Sequence, residues 1–232
     1  MPGPYQYTIW LICTLLEAAV VVCAVRTHSF RRYILLNLFM AISCLVSIGR
    51  YSILNHWGLL SAEYKYFYYY SDALLVISLY FAVLNLYSLV FDEMKVERYL
   101  RWGATLLLCG TAWFSYAVVQ QSSHRILTHF AYELSQNLYF VGLVLTYVLW
   151  GAILKLRETR ARLVQLVLAL GVYFSAFAAN YALLNLYPKL DVLRYSLPLL
   201  GCILPAAWAY CFLRVSEEAK LAPARLATAV TR

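Results

Sequence analysis

The chain reads as an all-α, polytopic membrane protein, a bundle of seven transmembrane helices with its amino terminus outside and its carboxyl terminus cytoplasmic. Three observations predict this. Of 232 residues, 63% are hydrophobic and only 13% charged, against about 25% charged in a soluble domain, and mean hydropathy is +0.68. Apolar runs of about 20 residues, the length that crosses a bilayer, recur along the chain. Lys and Arg concentrate in alternate connections, which orients the spans.

The spans fall at 5–25, 33–54, 66–91, 100–119, 129–154, 164–186 and 193–215. Their connections are too short to fold alone. The first is expected to be a retained helix and not a signal peptide, because it lacks a basic start and a small-residue cleavage site and carries Glu17 inside the apolar run. In the second, Ser43, Ser47 and Arg50 share one face at helical spacing. The third opens in a run containing Tyr64, Tyr66, Tyr68, Tyr69 and Tyr70, as expected of a headgroup-level aromatic belt. It continues with Asp72 and a small-residue face of Ser71, Ser78, Ala82 and Asn85. The fourth span is an ordinary apolar run. In the fifth, His129, Glu133, Gln136, Asn137, Phe140 and Tyr147 form a stripe that is polar at the outer end and aromatic further in. The seventh contains Pro198 and Pro205 around Gly201, which interrupts its backbone ladder twice and predicts kinks. Residues 216–232 form a short polar tail. The six cysteines all lie within spans with no CxxC pair, as small packing residues do.

Arg26, Arg31 and Arg32 follow the first span; Lys95, Arg98 and Arg101 the third; Lys155, Arg157, Arg160 and Arg162 the fifth; Arg214, Lys220, Arg225 and Arg232 the seventh. The opposite side holds Arg50, Lys65, Arg125, Lys189 and Arg194. This bias sets the orientation; a bacterial cytoplasmic membrane is the expected location. It also gives the +8 net charge a simple cause, since basic loops meet anionic lipid. The lipid bilayer, not nucleic acid, is the expected partner of that charge.

Charges inside a membrane are costly and usually face a cavity or the bundle interior. Glu17 lies about 18 Å into its helix at 1.5 Å per residue, near the midplane, where it has no route to the headgroups. Arg50, Asp72 and Glu133 share a shallower depth. The expected site is an outward-facing pocket between helices 1, 2, 3, 5 and 7, floored by aromatic rings, with ligand-binding candidates Glu17, Arg50, Asp72, Glu133, Gln136, Asn137 and Tyr69. The alternative is structural: Arg50 and Asp72 pair to fix helix 2 to helix 3, and Glu133 snorkels outward.

No catalytic motif is found, so the chain is expected not to be an enzyme. Retinal is disfavoured because 193–215 contains no lysine for a Schiff base. Metal ligation rests on His124, His129 and His56 alone, without the clustered spacing a zinc site needs, and haem lacks two facing histidines. No cofactor is therefore expected. The arrangement of spans resembles heptahelical receptors and bacterial sensor input modules in topology only; the asymmetric placement of charge in the outer half makes a sensor or receptor, which binds a small molecule or lipid from the outer side and signals to a cytoplasmic partner, the leading expectation. The competing expectations are an accessory subunit of a respiratory or other energy-converting complex, with a protein partner or homo-oligomer in the membrane, and then a proton-coupled transporter.

Overall fold

A computed structural model describes residues 4–58, 61–91, 97–120, 126–156, 160–187 and 191–216. These form seven α-helices, with no strand among the described residues: α1 Pro4–Arg26, α2 Ile34–Trp57, α3 Ala62–Val90, α4 Glu97–Gln120, α5 Ile126–Leu156, α6 Ala161–Leu186 and α7 Asp191–Arg214. The tail from 217 onward lies outside the described residues. The largest shift from the expected spans is at α3, which starts four residues before Tyr66. Ser61 explains it: its hydroxyl accepts from the Tyr64 backbone N–H at 3.1 Å, an N-cap that lets the helix begin within the tyrosine run. The preceding α2 stops at Gly58, whose φ of 79° lies in the left-handed region that favours glycine.

Six helices, α1, α2, α3, α5, α6 and α7, are long and apolar enough to cross a membrane, the pattern of a multi-pass membrane protein. These six helices also form the packing unit. α1 packs on α2, α2 on α3, α3 on α5, α5 on α6, α6 on α7, and α7 returns to α1. The result is a closed ring. α4 packs against α5 and α3 from outside the ring and exposes Trp102, Leu106 and Trp113.

The ring is packed solid in the half that carries the basic connections. Trp208, Phe174, Phe212, Leu36, Leu86 and Leu166 are all at most 1% exposed there. The indole N–H of Trp208 donates to the Leu166 carbonyl at 3.3 Å, and its ring meets Phe39 edge-on with centroids 6.2 Å apart. α5 approaches α6 so closely at Gly142 that a β-carbon there would strike the Phe174 ring. Such contact through small residues is how membrane helices gain dispersion energy without a hydrophobic drive.

Arg162 locks the basic end. It is 4% exposed. Its Nε and Nη2 donate to the Val215 carbonyl at 2.8 and 2.6 Å, its Nη1 donates to the Ser29 hydroxyl at 2.6 Å, and its guanidinium faces the Phe212 ring. One side chain from α6 thus joins the end of α7 to the α1–α2 connection and satisfies a terminal carbonyl that the helix itself leaves open. Arg162→Leu is expected to destabilise the fold by on the order of 3 kcal/mol, because hydrogen bonds to charged groups contribute about 1.5–3 kcal/mol each. Thermal unfolding in detergent measures this; an unchanged midpoint would remove the clamp from the account.

The closure of α1 on α7 has its own marker. The Cys13 and Cys202 sulfurs are 2.6 Å apart, although the cysteines are free thiols. In a chain keeping only these two cysteines, mild oxidation with copper phenanthroline should convert both thiols to one intramolecular disulfide, seen as a linked peptide pair by mass spectrometry. Failure to crosslink would mean that the ring is open between α1 and α7.

Candidate functional site

The other half of the ring is hollow. It holds a cavity of about 520 Å³, within the range of small-molecule sites, to which α1, α2, α3, α5, α6 and α7 all contribute. The packed half of the ring closes it on the side of the basic connections. Its lining reaches up to Tyr64 and Arg50, near the Gly58 end.

α1 presents Trp10, Cys13 and Glu17 to the cavity from successive turns of one face. Glu17 is 7% exposed. Its carboxylate accepts from the Ser43 hydroxyl at 2.6 Å and the Ser47 hydroxyl at 3.4 Å, both on α2. Burial of a carboxylate without donors is costly, and the two serines meet part of that cost. Among the described residues no basic side chain lies within ion-pair distance of it; the ion pair they contain is Arg50 with Asp72.

That pair sits nearer the Gly58 end. Arg50 Nη2 is 3.7 Å from Asp72 Oδ1. Arg50 also donates from Nε to the Ser71 hydroxyl at 3.0 Å and from Nη2 to the Tyr68 carbonyl at 3.1 Å, and its guanidinium lies 4.3 Å from the centre of the Tyr68 ring. Several of its donors and one ring face are therefore held by α3. A residue that fixes α2 to α3 also forms part of the cavity wall, so the structural and the site readings of Arg50 and Asp72 coexist.

The wall opposite Glu17 is aromatic. Tyr139 of α5 stacks on Phe177 of α6 with centroids 4.9 Å apart and planes 10° from parallel, Tyr173 lies 4.6 Å from Phe177, and Tyr181 lies 5.6 Å from Tyr139. Pro198, Gly201 and Pro205 of α7 complete the lining. The two prolines, placed inside the helix, thus serve as cavity wall. A second, more lateral groove of about 730 Å³ runs between α1 and α2 past Tyr7, Leu11, Ile48 and Tyr51. Trp10 and Ser47 line both spaces.

Of the residues singled out in the sequence, the structure brings Glu17, Arg50 and Asp72 into one cavity. Glu133, Gln136, Asn137 and Tyr69 are not among the residues that line it. Asn137 donates to the Ser115 hydroxyl at 3.0 Å, so its face of α5 is turned to α4. Phe140, Val144 and Tyr147 on the same side are exposed, while Leu134, Ser135, Leu138, Tyr139 and Thr146 are buried. The polarity of Asn137 therefore marks a contact of α5 with α4. Tyr69 meets Tyr68 edge-on at 5.8 Å, and it is Tyr68 and Tyr64 that reach the cavity. His56 packs beside Trp57 at the end of α2; His124 and the side chain of His129 lie outside the described residues. Among the described residues no group of three His, Cys, Asp or Glu is placed to hold a metal ion.

The sequence places the sixth span at 164–186, where α6 lies, but leaves that helix out of the expected pocket, whose lining it joins. Tyr173, Phe177 and Tyr181 recur at four-residue spacing, a one-face aromatic stripe that was open to detection, but without a charge it drew no attention. Chemically, the site offers a buried carboxylate, an ion pair and a ring-lined wall, which is equipment for binding. Comparison of the chain with protein-family models, with curated proteins and with solved structures finds no match.

Proposed function

We propose that this chain is a seven-span membrane protein, amino terminus outside and carboxyl terminus cytoplasmic, that binds a small molecule or lipid in the cavity and reports its presence to a cytoplasmic partner. The observation that carries this reading is the cavity of about 520 Å³, which all six ring helices line and which contains Glu17, Arg50 and Asp72. Charges are tolerated inside a membrane where they line a polar space, and a ring with a solid half and a hollow half concentrates them in the hollow one. The orientation follows from the basic connections, which share the packed end with Arg26, Arg31, Arg32 and Lys155. A cavity closed on that side is then an outward-facing one. The bacterial cytoplasmic membrane is its proposed location. Ligand contact with six helices at once gives a route for signalling, since any change in their packing reaches the basic end through α7 and its Arg162 clamp.

A second reading, an accessory subunit of a larger membrane complex, is favoured by α4. It stands outside the ring with Trp113 75% and Trp102 67% exposed, and aromatic side chains are common anchors of protein interfaces.

Native mass spectrometry of the protein extracted gently from its own membrane separates the two. The ligand-binding reading expects a protomer or homodimer carrying a discrete extra mass, with occupancy per folded protomer at least tenfold lower in Glu17→Gln and in Asp72→Asn. Foreign subunits at fixed stoichiometry, with no bound small molecule, would contradict it and support the accessory role.

A further inference from the structure

The chemistry of the cavity narrows the class of ligand. Its formal charges are two carboxylates and one guanidinium, and the guanidinium is engaged by Asp72, Ser71 and Tyr68 on its own side of the space. Glu17 receives two hydroxyl donors, which satisfy some of its lone pairs but none of its charge. Across from it stands the stacked wall of Tyr139, Tyr173, Phe177 and Tyr181. A ring face attracts a cation, and clustered aromatic faces with an acidic neighbour are a general solution for holding an ammonium group. An anion would meet Glu17, and a neutral apolar ligand would leave its charge uncompensated.

We propose that the cavity binds an organic cation, an amine or quaternary ammonium group, with Glu17 as its counter-charge and the cluster of Tyr139, Tyr173, Phe177 and Tyr181 as its aromatic wall. This rests on the ligand-binding reading above. The ammonium group has two possible sources, a free amine or the headgroup of a membrane lipid. The lateral groove between α1 and α2 shares Trp10 and Ser47 with the cavity and is the side from which a lipid would approach.

The test uses the full chain in dodecyl maltoside, which carries no ammonium group. Choline and its uncharged isostere 3,3-dimethylbutan-1-ol are compared by equilibrium dialysis. Choline should bind at least tenfold more tightly than the isostere, and Glu17→Gln should bring the two within twofold of each other. Phe177→Leu, which removes a ring face without adding or removing charge, should weaken choline at least fivefold and leave the isostere within twofold. It keeps the test open if Glu17→Gln fails to fold. Adding phosphatidylcholine should suppress choline binding if the headgroup is the source, whereas phosphatidylglycerol should not; suppression by neither assigns the site to a free amine. Equal affinity for choline and the isostere, no binding of either at tens of millimolar, or an undiminished choline preference in both variants would overturn the proposal. If native mass spectrometry meanwhile shows a retained neutral or anionic molecule, the ligand-binding reading stands and only the cationic class falls.

Discussion

A carboxylate placed in the middle of an apolar helix has to be provided for by its neighbours, and Glu17 organises the hollow half of this protein around that need. Its nearest donors, Ser43 and Ser47, come from α2, so α1 and α2 are brought into register by a polar contact inside the ring. The same face of α1 carries Cys13 against Cys202, which sets α7 on its other flank. Three helices are thus positioned around one acidic side chain, and the remaining three bring aromatic rings and Asp72, which pairs with Arg50 of α2.

The packed half makes the hollow one possible. With Trp208, Phe174 and Phe212 buried and Arg162 tying α6 to α7 and to the α1–α2 connection, the ring is held closed at one end without needing side chains to fill the other. Tight packing in membranes depends on close approach of small residues, and Gly142 against Phe174 supplies it. α4 is not a member of the ring, whose closure runs from α3 directly to α5. That leaves its exposed aromatic face free for lipid or for another protein.

The helices were legible in the sequence because hydropathy and span length act on every residue alike. Most ends fall within a few positions, and the exception at α3 depends on a single Ser61 cap hidden before a tyrosine run. Which helices close the ring was not legible: adjacency of α3 to α5 and of α1 to α7 is a tertiary fact, and nothing local to α4 says it stands outside. Of the site, the charges were readable since burying Glu17, Arg50 or Asp72 demands a reason. Polarity failed as a guide on α5, where Asn137 reaches α4 through Ser115 and Tyr139, two residues on, faces the cavity. A polar stripe on a membrane helix reports that a partner exists, not which one. The aromatic wall on α6 went unread for the converse reason, as rings at helical spacing are what an ordinary core also shows.

The central claim is that water reaches a net-acidic space inside the ring, and its most direct test compares two neighbouring positions of α3. Leu75 lines the cavity, whereas Leu74 is 50% exposed on the outer surface. In a chain lacking native cysteines and held in its membrane, Leu75→Cys should react with a membrane-impermeant, positively charged methanethiosulfonate at least tenfold faster than with a negatively charged one, after correction for their rates with a free thiol. Leu74→Cys, facing lipid, should react slowly with both. Slow reaction at position 75, or no preference for the positive reagent there, would contradict the account.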